Sequence, residues 1–301
     1  ITSKIGRLIF DKRNPLYITH KLNSMLRQRI YGIAANYEDL NDHDYLRHDP
    51  AFQIVINKEQ ELASSPTLSR LDNMVSRADC VAMSINLVEQ FIASHNGAPK
   101  ELVLDFDPTD YKLYGHLEDR YYHGYYEDYC YLPLYVFCGD HLLVAYLRPS
   151  DIDGALHTGA ILKLLVRRFR QEWPDVKIMF RGDCAFARRS ILHFCEQNNV
   201  DYVTGISQNK RIEKLAAPTL SLAKQQFDNT NTNQRIFTQF SYAAESWNHQ
   251  RRIIAKVEQN SKGSNLRCVI TNLQHYEPQF IYEQLYCPRG DMENYINLYI
   301  S

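Results

Sequence analysis

Between Glu101 and Gln226 the sequence alternates short apolar runs of strand length with longer runs of helical period. That alternation restricts the chain to a small set of folds. A strand is expected over 101–107, with Val103, Asp105 and Asp107 on one face and Leu102, Leu104 and Phe106 on the other. Two more strands, 131–137 and 142–147, are joined through Gly139 and Asp140, which suit a hairpin. A helix follows over 155–173, with Leu162, Leu165, Val166 and Phe169 in period. Strand 176–180, helix 187–198, strand 202–206 and helix 208–226 complete the series. The order β-β-β-α-β-α-β-α predicts an α/β fold, a mixed sheet with helices on both faces.

The flanking regions read differently. Residues 1–98 are expected to be helical and to form a possible DNA-binding region. Leu22, Leu26, Ile30 and Ile33 recur as one buried helical face. Asn and Asp residues break the pattern over 36–45. A helix resumes at Pro50, another starts at Ser65-Pro66, and a third runs from Ser76 to His95 with Val81, Ile85, Val88 and Ile92 on one face. The core is expected over 99–228. A polar turn at 229–234 then opens a β-rich insertion over 229–275, with strand-like runs at 235–242, 251–257 and 267–271. A last helix is expected over 276–301.

Composition narrows the chemistry. With 34 basic and 35 acidic side chains the formal net charge is -1, so any contact with a polyanion must come from local clusters. Arg167-Arg168-x-Arg170, Arg188-Arg189, Lys210-Arg211 and Arg251-Arg252 are each read either as such a cluster or, when taken alone, as a solvated surface face. Seven cysteines, an odd number with no Cys-x-x-Cys pair, argue against a disulfide framework and against a zinc ribbon. No stretch approaches the ~20 apolar residues of a membrane span and no leader opens the chain, which reads as cytoplasmic. The first residue is Ile1 and the last, Ser301, falls inside an expected helix, so both ends read as those of a fragment.

Three carboxylates stand in settings that suit a hard cation. Asp107 and Asp183 each close an apolar run, and Glu293 lies on the expected last helix. Two acids at strand ends and one on a late helix can converge on two divalent cations, the arrangement that cuts and joins phosphodiester bonds. Asp105 shares the strand face of Asp107 and stands as the alternate first acid. No paired histidines flank these acids and no glycine-rich phosphate loop occurs, so neither zinc nor ATP is implied. Gly182 is read as a place of close backbone approach beside Asp183. Trp247, just before Arg251 and Arg252, is read either as packing on the sheet or as a stacking partner for an extruded base. The aromatic stretch Arg120–Tyr126 carries the same two readings, strand-edge packing or contact with DNA.

Asp107-Pro-Thr109 resembles the Asp-x-Ser/Thr that closes the first strand of ribonuclease H-like nucleases. Arg181-Gly182-Asp183 with Phe186 resembles the second-acid motif of bacterial insertion-sequence transposases. Tyr286, Arg289 and Glu293 match the Tyr-x2-Arg-x3-Glu part of the Tyr-Arg-Glu-Lys signature of that superfamily. Arg289 and Glu293, four residues apart, would share a helix face. The signature lysine should fall at position 300, where this chain has Ile300. The stretches 129–144, 173–178 and 36–52 are similar to one branch, the transposase DDE domain, group 1, and the similarity runs over nearly the whole chain.

The resemblance implies a ribonuclease H-like core and a transposase. Asp107, Asp183 and Glu293 would hold two Mg²⁺ or Mn²⁺ ions, and DNA strands would be cut and transferred. It implies terminal inverted repeats and target DNA as partners, a homodimer on DNA, and DNA contacts at Tyr286, Arg289, Trp247, Arg251 and Arg252. A nuclease that cuts without mobilising DNA, and an inactive fragment or domesticated DNA-binding protein, are the other readings.

Overall fold

The computed structural model of the chain describes residues 2–115, 117–292, 294 and 296. It divides into two compact units, Ile1–Gln90 and Phe91–Ser301. The boundary falls eight residues before the expected one, inside a helix.

The first unit is helical, as its periodicity predicts: α1 (Thr2–Leu8), α2 (Leu22–Ala34), α3 (His43–Leu46), α4 (Pro50–Ile56), α5 (Ser65–Asp72) and most of α6 (Arg77–Ala93). Asp49 starts α4 by accepting from the Phe52 amide at 3.0 Å, with Pro50 in the first turn. The core gathers Ile9, Leu22, Met25, Leu26, Ala63, Leu68 and Leu71. On α2 the buried face therefore turns toward Met25 and Gln28, and Ile33 is exposed. Gln28 explains the rotation. Its amide oxygen accepts from Ala63 N at 2.9 Å and its Nε2 donates to Ala63 O at 2.8 Å, so a polar side chain is buried at no hydrogen-bonding cost. On α6, Val88 and Ile92 are buried as expected, whereas Val81 and Ile85 are exposed.

In the second unit the strands are β1 (Glu101–Pro108), β2 (Tyr111–Lys112), β3 (Tyr121–His123), β4 (Asp128–Tyr131), β5 (Leu134–Cys138), β6 (His141–Tyr146), β7 (Lys177–Gly182), β8 (Asp201–Ile206), β9 (Gln234–Tyr242), β10 (Arg251–Asn260) and β11 (Gly263–Thr271). Its longer helices are α7 (Thr158–Glu172), α8 (Arg189–Gln197) and α9 (Lys210–Thr230), followed after β11 by the short helical turns from Pro278 to Arg289. Eight strands form one mixed sheet in the order β6-β5-β1-β7-β8-β11-β10-β9. β1, β7 and β8 run parallel, and the hairpin strands β5 and β6 extend one side antiparallel. This is the mixed sheet flanked by helices that the strand and helix order predicts.

Two features depart from the sequence reading. The strands expected as an insertion are continuous with the core sheet, because β11 pairs antiparallel with β8 from Cys268↔Ile206 to Thr271↔Val203. β2, β4 and β3 form a separate three-stranded sheet inside the connection from β1 to β5. These strands are only two to four residues long, too short to leave an alternation in the sequence.

Alternation along β1 and β7 sets the two faces. Phe106 and Phe180 meet on one face, with ring centroids 4.9 Å apart, and Phe186 closes over both. Val103, Met179, Val203, Ile254 and Val269 lie on the other, under Ile281 and Tyr282.

Candidate active site

The register of β1 and β7 builds the site in rungs. Val103 pairs with Met179, and Asp105 with Arg181. One step on, Asp107 and Asp183 stand on the same face at the ends of neighbouring parallel strands. The lowest rung is apolar core, the middle one an ion pair, and the top one two carboxylates beside an open cleft of ≈ 570 Å³ that Asp107, Asp183 and Arg289 all line.

The middle rung separates the two candidate first acids. Asp105 is 4% exposed. Arg181 donates to both of its oxygens, from Nε to Oδ1 and from Nη2 to Oδ2 at 2.7 Å. Burial pushes the Asp105 carboxyl up, and Arg181 pulls against it. The third arm of Arg181, Nη1, donates to the carbonyl of Leu285 at 2.7 Å. Asp105 thus supports the segment Ile281–Tyr286, a turn of π-helix, rather than facing the cleft. π-turns commonly occur where a helix must present side chains at a site.

At the top rung, the Thr109 hydroxyl donates to Asp107 Oδ2 at 2.7 Å and Arg289 Nη1 donates to Asp107 Oδ1 at 3.0 Å. The Asp-x-Thr motif is therefore a real contact, with the hydroxyl fixing the carboxylate rotamer. Asp183 caps the short turn Cys184–Phe186 by accepting from Ala185 N at 2.8 Å. Gly182 has a reason the sequence did not reveal. A Cβ there would stand 2.5 Å from the Phe186 ring, so glycine is needed on the buried face rather than beside a cation.

Gly205 was missed in the sequence, and Tyr126 was named there only within the aromatic stretch Arg120–Tyr126. β8 continues the top rung, since Arg181 pairs with Val203 and Gly182 with Thr204. Gly205 therefore sits beside Asp183. A Cβ on it would lie 3.0 Å from the Tyr286 hydroxyl and 2.8 Å from Cys184 N. The missing side chain leaves room for the Tyr286 hydroxyl beside the turn at Asp183 and Cys184. Burial pushes the Tyr286 phenol up, with the Arg289 cation opposing. Tyr126 donates to Pro108 O at 3.2 Å and lines the same cleft. Its phenol is raised far above the usual range by burial, then by the charges of Asp110, Asp107 and Asp183. The contact shows what Tyr126 does: it lies in the turn between β3 and β4, where no periodicity marks a single residue.

The remaining expected residues fall elsewhere. Glu293 and Ile300 lie outside the described residues. Arg251, expected at DNA, is 4% exposed and donates to Glu196 from Nε at 2.6 Å and Nη2 at 2.9 Å. Its guanidinium lies 4.9 Å over the ring of Trp247, which meets Tyr242 edge-on. Arg252 donates to Gln239 Oε1, to Leu273 O at 2.6 Å and to Tyr276 O at 2.8 Å. The adjacent arginines and the tryptophan pin β10 to α8 and to the turn after β11, so neither guanidinium reaches a phosphate without giving up these bonds. Of the five expected DNA contacts, only Tyr286 and Arg289 stand at the acids.

For a cation, the described donors at the cleft are hard carboxylate oxygens, which fit Mg²⁺ or Mn²⁺ by type. Among the described residues no group of three or more His, Cys, Asp or Glu gathers at one point. Among them, too, no helix is long and apolar enough to cross a membrane.

One solved structure similar to the chain is the cryo-EM structure of the piggyBac transposase synaptic complex with hairpin DNA, at 11% sequence identity and a TM-score of 0.43. The match covers 100% of this chain and 64% of that one, so the chain spans under two thirds of that transposase. No curated protein matches the chain. The family model for the transposase DDE domain, group 1, matches residues 1–299, and the chain belongs to that family.

Proposed function

We propose that this chain is the catalytic part of a DNA transposase with a ribonuclease H-like core, which cuts and transfers strands at terminal inverted repeats. The observation that carries the reading is the top rung: two aspartates on neighbouring parallel strands open into one cleft with an arginine between them and solvent. An open, acid-lined cleft with a cation at its mouth suits a polyanion reacting on a divalent metal.

Asp107, Asp183 and Glu293 would hold two Mg²⁺ or Mn²⁺ ions. When bound, such ions generate the attacking hydroxide or 3′-alkoxide and stabilise the leaving oxygen. The chain's own residues supply orientation and charge. Thr109 holds Asp107 in one rotamer, and the cap to Ala185 holds Asp183. Arg289 sits where its guanidinium can exchange a carboxylate oxygen for a phosphate oxygen, two acceptors it recognises with the same fork. Tyr286 interacts with Arg289 and keeps its hydroxyl beside Gly205, on the strand next to Asp183. Substrates are inverted-repeat and target duplexes, with a homodimer assembled on paired ends.

The test is cleavage of repeat-end DNA by Asp107→Asn and Asp183→Asn with Mg²⁺. Asparagine keeps shape and removes the charge that holds a cation. Cleavage should fall by orders of magnitude while DNA affinity holds or rises slightly, as repulsion of the phosphates is reduced. Wild-type cleavage by either variant would sink the mechanism.

A further inference from the structure

The small sheet beside the acids carries an aromatic surface that strand cleavage does not use. Tyr111, Tyr114, Tyr121, Tyr122, Tyr125 and Tyr129 are all exposed, Tyr114 to 87% and Tyr125 to 84%. Single exposed tyrosines are ordinary, but the strand register puts Tyr111, Tyr122 and Tyr129 on one face of the small sheet, with Tyr121 on the other. Part of the patch is already ordered. Tyr122 and Tyr129 are paired across β3 and β4, with ring centroids 5.6 Å apart, and the Arg120 guanidinium lies 4.6 Å over Tyr129.

The turn between β3 and β4 carries the module's tyrosines to the cleft. Tyr125 meets Tyr126 edge-on at 5.0 Å, and both line the cleft with Asp107 and Asp183. The Tyr126 hydroxyl ties this hairpin to Pro108, the residue after Asp107. A strand whose phosphate lies at the acids would have its neighbouring nucleotides over these rings.

Charge decides which part of a nucleotide the rings would meet. Over 110–131 five acids face two bases, Lys112 and Arg120, and Lys112 is held by Asp128 at 3.4 Å. Such a surface repels a phosphate backbone. It offers π-faces and one cation over a ring, which suit unpaired bases. A closed duplex presents phosphates outward and hides its base faces. We propose that the small sheet is a stacking surface for unpaired bases of the DNA strand that enters the acid cleft. The proposal rests on the phosphoryl-transfer reading for its substrate class.

The experiment uses the whole chain without added metal, and two probes: a single-stranded oligodeoxynucleotide carrying 2-aminopurine, and the same sequence as a blunt duplex. Binding should quench 2-aminopurine fluorescence. The double variant Tyr122→Ala/Tyr125→Ala should weaken single-strand binding about tenfold or more and duplex binding by less than about twofold. Because no phosphate contact is lost, the salt slope should not change. Tyr122→Phe/Tyr125→Phe should bind as the wild type does, since stacking needs the ring and not the hydroxyl. Both positions are exposed, and an unchanged thermal midpoint would confirm folding. Unchanged single-strand affinity in the alanine variant overturns the proposal. So does equal loss in the phenylalanine variant, absence of single-strand binding, or a change of oligomeric state on alanine substitution, which would make the patch a contact between copies. Cleavage by Asp183→Asn is scored separately, so wild-type cleavage there refutes the metal mechanism and leaves the stacking result standing.

Discussion

Arg289 and Asp107, 182 residues apart in sequence, share a hydrogen bond of 3.0 Å at the mouth of the cleft. Both side chains are largely shielded, at 17% and 13% exposure. The pair ties the C-terminal segment to the end of the first strand and leaves a cation beside the acids.

If Arg289 turns to a phosphate when DNA binds, Arg289→Ala should weaken repeat-end binding and flatten the dependence of log Kd on log salt by about one unit. Arg289→Lys should keep the slope and lose part of the affinity, because a lysine cannot bind in a fork. Filter binding from low to moderate salt checks both. An unchanged slope in Arg289→Ala would mean that Arg289 only neutralises Asp107.

Arg181 should act through position as well as stability. Arg181→Met leaves Asp105 buried without its partner and should cost about 3–5 kcal/mol in urea unfolding. Asp105→Leu/Arg181→Met removes both charges and should recover most of that loss. The anchor on Leu285 would still be missing, so cleavage should stay low although the fold has recovered. Recovery of cleavage together with stability would reduce Arg181 to a structural role.

The sheet and most of its strands were legible because alternation and apolar runs are local signals. Asp107 and Asp183 were legible because each ends such a run. Local signals could not separate Asp105 from Asp107, which share a face; the partner Arg181 lies 76 residues away. Nor could adjacency reveal that Arg251 is buried while Arg252 is tied down across the sheet and to the turn after β11. Glu196, Gln239 and the Leu273 carbonyl become their neighbours only when β10 joins the sheet. Gly205 had no motif to mark it, since it acts by lacking a side chain, and Tyr126 stood in the sequence only as the end of an aromatic stretch, with nothing to tie it to Pro108.

Gly205 and Gly182 should fail in different ways. Gly182→Ala drives a methyl into the Phe186 ring at 2.5 Å and should lower stability by about 1–3 kcal/mol. Gly205→Ala meets the Tyr286 hydroxyl and the Cys184 backbone. It should push the Tyr286 hydroxyl away from the turn at Asp183 and Cys184 and depress cleavage more than its effect on the thermal midpoint accounts for. Gly205→Ala/Tyr286→Phe should regain part of the rate, because removing the hydroxyl restores the space. Additive losses in the double variant would show that the methyl is felt through the Cys184 backbone instead.

Glu196 should set part of the acid sensitivity of the fold. Burial alone would raise its carboxyl, but hydrogen bonds from Arg251 and Tyr202 and the charges of Arg251 and His249 outweigh it and hold the group below its ordinary 4.5. A carboxyl held low in the folded state stabilises the protein above the unfolded value, and that contribution fades as pH falls through the folded one. Glu196→Gln should therefore be less stable than wild type at neutral pH, by about 2–4 kcal/mol with Arg251 left buried. The gap should narrow as pH drops below about 4.5. Urea melts of both proteins from neutral to acid pH test this, and a gap independent of pH would show that Glu196 acts by packing alone. Arg251→Ala should be similarly destabilised, yet bind repeat-end DNA with an unchanged salt slope at a temperature where both remain folded. A flattened slope would return Arg251 to the DNA surface.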